Sequence, residues 1–267
     1  IFSIGSSKKI ENLNKTSGEK LCQSLEDMGT TFIKLGQFLA TRPDIIGDEI
    51  ANKLEKLQDK LPAFNTEKAK TIIEKEIGSK SFKDILFLSE PVAAASIAQV
   101  HFAKIKIGKE EKELAIKILR PNIKTLVNEE LDALMFLAYL VESIFKSTKR
   151  LKLVEVISLL KEITNVEMDL RFEAAAAGEL RENTLNDKGI KVPKIYWNYT
   201  SKKILTLDKI DGISIREIEK LKDLNINLQK ISENLIQIFL KQAVRDGFFH
   251  ADMHQGNLFV DKHGIIV

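Results

Sequence analysis

"HADMHQGNLFV", His250 to Val260, sets an aspartate two residues after a histidine and an asparagine five residues after that aspartate, just past an amphipathic helix. The spacing H-x-D-x-x-x-x-N belongs to loops that catalyse phosphoryl transfer. In such a loop Asp252 orients or deprotonates an attacking hydroxyl or joins the metal, and the Asn257 carbonyl helps hold Mg²⁺ against the phosphates. A polar turn in which Gly256 and Asn257 only bend the chain uses the same residues, so the loop must be weighed with what lies upstream.

Upstream, Leu114-Ala115-Ile116-Lys117 falls in "ELAIKIL", a β-branched stretch that reads as a strand. An ammonium at Lys117 neutralises α- and β-phosphate oxygens; standing alone it would be an edge lysine with its head in water. Such a lysine needs a carboxylate to hold it, and "VEMDLRFEAAAAGEL" offers Glu167, Asp169 and Glu173. Asp169 and Glu173 are four apart and share a helical face. Glu173 borders a run of alanines that permits close packing, so Glu173 is expected to pair with Lys117. Where a glycine loop would cradle phosphates, the chain reads Ala93-Ala94-Ala95-Ser96. Alanine restricts positive φ and close backbone approach, so this loop is expected to hold a nucleotide differently from G-x-G-x-x-G.

Leu21, Leu25, Met28, Phe32, Leu35 and Leu39 step by threes and fours, which predicts one amphipathic helix stopped at Pro43, with Lys34 and Gln37 off its apolar stripe. A second helix carries Ile46, Ile50, Leu54, Leu57 and Leu61 and ends before Pro62. A third is capped by Asn65 or Thr66 and runs to about Gly78. Pro91 to Ile105 and Glu113 to Leu119 read as paired strands turning at Gly108. Two long helices, about 124–145 and 153–185, precede strand, turn and strand in "KVPKIYWNYTSKKILTLDKIDG", and "TLDKIDG" is the linker expected to receive an adenine through backbone groups. A last helix ends at Gly247. This element order predicts an α+β fold.

Composition sets limits on partners. The 267 residues are 44% hydrophobic and 30% charged, and Lys plus Arg exceed Asp plus Glu by 41 − 38 = 3, a balance that does not call for nucleic acid. The densest basic run is Lys146, Lys149, Arg150 and Lys152, a solvated loop or a membrane-surface patch. A lone Cys22 excludes an internal disulfide and a Cys-based zinc cluster. The most apolar run, Leu134 to Val141, is cut by Glu142, so no membrane span is expected. No signal peptide is visible, and with Ile1 first both ends read as cuts through a longer protein.

Taken together, these residues make the chain resemble the UbiB family of atypical protein-kinase-like proteins, also called aarF-domain or ABC1-like. The resemblance rests on the alanine loop Ala93 to Ser96, a K-x-G-Q motif at Lys34-Leu35-Gly36-Gln37, an E-x-D motif at Glu167-Met168-Asp169, and Glu173 six past Glu167, in register with Lys117, Asp252 and Asn257. It implies a protein-kinase-like fold whose N-lobe antiparallel sheet carries a helical N-terminal extension. The division implied is 1–64 for the extension, 65–210 for the N-lobe with a helical insert, and 211–267 for the start of a cut-short C-lobe. Implied cofactors are ATP and Mg²⁺. Lys117, Glu173 and Asp252 are the implied catalytic set, with Asn257 and Asp252 on metal. Ala93 to Ser96, Lys117, Lys34, Gln37, Glu167 and Asp169 lie at the nucleotide, Lys34 near Glu167. The implied role is support of ubiquinone biosynthesis by ATP hydrolysis or small-molecule phosphorylation. It would proceed in the cytoplasm or on the cytoplasmic face of a bacterial inner membrane, with a quinone-precursor lipid and ubiquinone-biosynthesis proteins as partners. The rivals are a scaffold that binds nucleotide or lipid without turnover, and a small-molecule phosphotransferase of kinase-like fold. The strand "GIIV" reaches Val267 before any D-F-G aspartate, so the chain as it stands is expected to be catalytically impaired.

Overall fold

Glycines divide the first apolar stripe. Instead of the one helix that periodicity predicts, the computed structural model has α1, Ser17–Met28, and α2, Thr30–Ala40, separated by Gly29 at φ 101°. The expected second helix is likewise two, α3, Pro43–Ile46, and α4, Asp48–Leu54, parted at Gly47 at φ 82°. L side chains rarely adopt such backbone angles, and an apolar repeat carries no trace of them. The structure describes residues 17–55, 57, 61–251, 253 and 256–267. These form two compact units, each discontinuous in sequence.

The first unit comprises the described residues up to Phe64, Ala93–Gln99 and Leu119–Met168. Leu25, Leu54 and Leu57 form its small helical core, flanked by Phe32, Leu39, Ile46 and Ile50. Gly36 sits inside this packing. A Cβ there would come within 2.9 Å of Leu25 Cδ1 and closer still to Leu57 Cδ1, so the glycine of the K-x-G-Q motif is a close-packing residue. Helices α6, Ile123–Ile144, and α7, Leu153–Glu167, pair through Val127, Leu131, Ala138, Val156, Ile157 and Leu160, joined by a 3₁₀ turn at Lys146–Leu151. Leu126, Phe136, Leu137, Leu140 and Ile144 form a second apolar row on α6, and this one is exposed. Among the described residues no helix is long and apolar enough to cross a membrane.

The second unit is built on a four-stranded sheet in the order β1-β2-β3-β4. Helix α5, Thr66–Phe82, precedes it; Asn65 is the cap, its side chain accepting from Glu67 N at 2.6 Å, and the helix continues beyond a kink at Gly78. The stretch read as one strand over Pro91 to Ile105 is the end of β1, Ile85–Ala94, a tight turn, and β2, Ala98–Ile107. Small alanines lack the Gly or Asn that announces a turn, and β1 is half-exposed with Pro91 in it, so period-two alternation is weak there. Strand β3, Glu110–Leu119, follows the turn at Gly108 and pairs antiparallel with β4, Ile204–Asp208, with Lys117 opposite Leu205. The segment expected as strand, turn, strand supplies β4, to which Ile195 bridges antiparallel at Leu207, with a 3₁₀ turn at Trp197–Tyr199 between them.

The long helix expected over 153–185 is also two: α7 ends at Glu167 and α8 runs Leu170–Thr184, lying on β4. Gly178 of α8 faces the Trp197 ring, a Cβ there falling 3.9 Å from Trp197 Cζ2. The rest of the unit is β5, Ile213–Ser214, α9, Ile218–Asp223, α10, Leu228–Leu240, and β6, Phe259–Val260, around Leu221, Ile231, Ile238, Val260 and Ile266. The packing around Gly36 makes a direct prediction. Gly36→Val overpacks the α1–α4 core and destabilises the chain by about 1–3 kcal/mol, read as an earlier loss of helical circular dichroism in urea, whereas Gly18→Ala, which meets only the flexible Lys53 side chain, costs less.

Candidate functional site

Strand β3 is buried from Leu114 to Leu119 except at Lys117. An ammonium set in such a run needs a partner, and the structure supplies it from α8. Lys117 Nζ lies 2.9 Å from Oε1 and 2.7 Å from Oε2 of Glu173, both carboxylate oxygens engaged at once. Glu173 stands in the first turn of α8, where the helix dipole favours a carboxylate. Both side chains keep solvent access, 29% and 48% exposed, so the pair contributes only about 0.2–1 kcal/mol to folding. Its effect is geometric. An ammonium carries three N–H donors, and Glu173 takes two of them.

Helix α8 begins where it does because Asp169 caps it. The Asp169 carboxylate accepts from Arg171 N at 3.2 Å, from Arg171 Nε at 2.9 Å and from Arg171 Nη2 at 2.7 Å. The Arg171 guanidinium holds this buried carboxyl below its ordinary range, with burial opposing. Leu170 N donates to Lys202 O at 3.0 Å, which ties the helix start to the turn before β4. The E-x-D motif thus straddles a helix break: Asp169 starts α8, and Glu167 ends α7.

Glu167 works within the first unit. Its Oε2 is closed off from solvent and has Lys34 Nζ of α2 at 2.9 Å as its charge partner. Two further contacts anchor α2: Thr31 Oγ1 donates to the Glu130 carboxylate of α6, and Thr30 Oγ1 donates to Ser96 O at 3.1 Å. Gln37 is half-buried on the same helix. Ala93 and Ala94 end β1, and Ala95 N donates to Ala98 O at 2.8 Å, closing a turn in which Ser96 is fully buried.

A π-helical turn, Lys241–Asp246, follows α10 and precedes His250 in the chain. Gln242, buried in that turn, accepts from Phe248 N on its main-chain oxygen and from His250 N on its side-chain oxygen, at 3.2 and 3.1 Å. Arg245 clamps the turn to Asp187 and Asp246 and to the carbonyl of Asn183. Asn257 lies exposed just before β6. Asp252 lies outside the described residues. In the linker, Asp208 accepts from Lys194 N and from the Tyr196 hydroxyl; burial first, then Asp208, pushes the Tyr196 phenol up to about 12.

The structure therefore brings Lys117 to Glu173 and Lys34 to Glu167, and turns Asp169 to Arg171. Thr30, Arg171 and Gln242 are among the residues that sequence reasoning missed. Each acts through a backbone group or a helix cap, which leaves no spacing signature beyond a threonine or glutamine next to a motif.

A four-stranded sheet holding a lysine against a helical glutamate, in a mixed helix and sheet chain, is the architecture of kinase-like proteins. The ABC1 atypical kinase-like domain model matches residues 56–267, and the chain belongs to that family. It is 40% identical over 247 residues to a protein named probable protein kinase UbiB from Marinobacter nauticus, covering 91% of this chain and 44% of that one. Proteins of the same name from Pseudomonas aeruginosa and Histophilus somni are each 41% identical, over 249 and 259 residues, covering 93% and 96% of this chain and 46% and 47% of theirs. The chain spans about half the length of these curated relatives. The fold is shared with the Mycobacterium tuberculosis protein solved as an Rv3197–erythromycin complex, at TM-score 0.55 and 22% identity over 97% of this chain and 65% of that one.

The α8 cap carries a testable pH dependence. Asp169→Ala removes the cap and costs about 1 kcal/mol, while Asp169→Asn keeps a capping oxygen and loses less, both read by urea unfolding. Because the folded carboxyl is depressed, the advantage of Asp169 over the asparagine is complete above about pH 4 and disappears as the pH falls through the folded value.

Proposed function

We propose that this chain is the nucleotide-handling part of an atypical kinase-like protein that supports ubiquinone biosynthesis, by hydrolysing ATP or by transferring its γ-phosphoryl group to a small molecule. The observation that carries the reading is the Lys117–Glu173 pair, a cation fixed by both carboxylate oxygens on an otherwise buried strand. The ammonium suits α- and β-phosphate oxygens. Asn257 and Asp252 offer the amide and carboxylate oxygens that Mg²⁺ prefers, and Mg²⁺ would supply charge neutralisation on the phosphates. Asp252 is assigned to the acceptor hydroxyl, a water or the metal. By the family resemblance the turn Ala93 to Ser96, Lys34, Gln37 and Glu167 are assigned to the nucleotide, and Asp169 to placing α8.

In the same reading the protein works at the cytoplasmic face of a membrane with a quinone-precursor lipid and partner proteins. The exposed row Leu126, Phe136, Leu137, Leu140 and Ile144, ending near the exposed cations Lys149, Arg150 and Lys152, has the composition that an anionic lipid surface attracts.

Two measurements test this. In a calorimetric titration with ATP and Mg²⁺, Lys117→Ala loses about ten- to a hundredfold in affinity, the worth of a charge-assisted hydrogen bond, and Glu173→Gln loses less; wild-type affinity in Lys117→Ala would remove this lysine from the site. In flotation with phosphatidylglycerol vesicles, neutralising Lys149, Arg150 and Lys152 together weakens binding by on the order of a hundredfold. Equal recovery of wild type and variant would sink the membrane assignment.

A further inference from the structure

Arg245 is the last basic residue before His250 in the chain, and it stands between two carboxylates whose side chains are each only 10% exposed. Asp187, just beyond the end of α8, takes both guanidinium arms, Nη1 at 2.9 Å and Nη2 at 2.8 Å. Asp246 takes Nε at 2.6 Å and Nη2 at 2.8 Å. Nη2 also donates at 3.1 Å to Asn183 O, in the last turn of α8, and Lys241 Nζ joins Asp187 at 3.3 Å. Two shielded carboxylates this close repel each other unless a cation lies between them, so the cluster closes only with Arg245 in place. A planar fork reaches two carboxylates and a carbonyl at once, which a lysine's point charge does not reproduce.

The cluster joins the exit of α8 to the entry of the loop. Arg245 lies in the π-helical turn, a rare conformation that recurs at functional sites, and Gln242 of the same turn holds Phe248 N and His250 N. The other stem of the loop returns to the same stretch of chain. Ile266 N donates to Gly189 O at 2.9 Å, Lys191 N donates to Ile266 O at 2.8 Å, and Val267 pairs both ways with Phe259 of β6, at 2.8 and 3.0 Å. Gly189, at φ 96°, approaches α10 so closely that a Cβ would fall 3.1 Å from the Asn234 amide. Residues 183–191 therefore hold the chain before His250 through Arg245, and the chain after Asn257 through Ile266. All of these residues, with Lys117 and Glu173, belong to the second unit.

A loop whose two stems rest on one segment follows that segment, and this one continues from the helix that delivers Glu173 to Lys117. We infer that Arg245 is a positioning residue: through Asp187 it registers the stem 248–250 against α8, so that the loop and the Lys117–Glu173 pair keep one spacing. The inference rests on the nucleotide reading given above, in which the loop meets phosphate through metal. It is tested with Arg245→Ala, Arg245→Lys and Asp187→Asn by two readouts. One is hydrogen–deuterium exchange of peptides covering 246–258, with helix α5 as the remote control; the other is titration with ATP in Mg²⁺ and in EDTA. Lys117→Ala runs alongside. Arg245→Ala is expected to speed exchange over 246–258 about tenfold and to leave α5 as in wild type, the loss of hydrogen bonds to charged groups. It is expected to lower affinity about tenfold in Mg²⁺ and to leave the affinity in EDTA unchanged. Arg245→Lys restores only part of each, and Asp187→Asn gives intermediate losses.

Wild-type exchange over 246–258 in the Arg245 variants overturns the inference, whatever the nucleotide does. So does a loss of affinity that is equal in Mg²⁺ and in EDTA, which is the mark of general loosening. If Lys117→Ala binds ATP as wild type does, the nucleotide reading fails, and the exchange over 246–258 alone decides the positioning role. The same exchange decides it if wild type binds ATP equally in the two media, a result that removes the metal from the reading. Should Arg245→Ala lose its helical circular dichroism, Arg245→Lys and Asp187→Asn decide by the same two readouts.

Discussion

A cation on a buried strand is the constraint around which the second unit is arranged. Lys117 interrupts the apolar run of β3, and a charge in that place must find compensation or reach water. The compensation comes from a helix that has to start at the right residue. Asp169 provides that start, Arg171 and Lys202 hold it, and Glu173 is then delivered within the first turn. The half-exposed ion pair adds little to stability, so the residues that build it are arranged for position more than for folding energy.

The first unit shows a comparable economy in α2. In seven residues, Thr30 to Gly36, this helix reaches the turn after β1 through Thr30, α6 through Thr31 and the end of α7 through Lys34, and packs its glycine against Leu25 and Leu57. A short helix with three polar attachments and one tight contact is specified in rotation and in translation. A substitution in it would therefore be felt at several elements at once.

Much of this was legible beforehand for physical reasons. Lys117 and Glu173 could be paired because a lysine on an apolar strand needs a carboxylate and the alanines beside Glu173 permit close packing. The family resemblance placed Lys34 by Glu167, and the structure has them 2.9 Å apart. The element order gave α+β, while boundaries failed wherever a glycine turned the backbone inside an unbroken apolar repeat, at Gly29 and Gly47. The break at Asp169 was hidden for a different reason: an aspartate reads equally as a cap or as a surface charge, and only Arg171 two residues on distinguishes them. The turn at 95–97 escaped notice because its anchor, Thr30, acts on a carbonyl oxygen, and any sequence supplies carbonyls.

Trp197, the single tryptophan of the chain, has its ring beside Gly178, in the same helix α8 that carries Glu173. It is partly exposed, so its surroundings are half helix and half water. An indole in that situation changes its emission colour when the helix lifts or settles. The protein thus carries an optical gauge on the element that delivers its glutamate, and the seating of that element becomes observable in the unmodified chain.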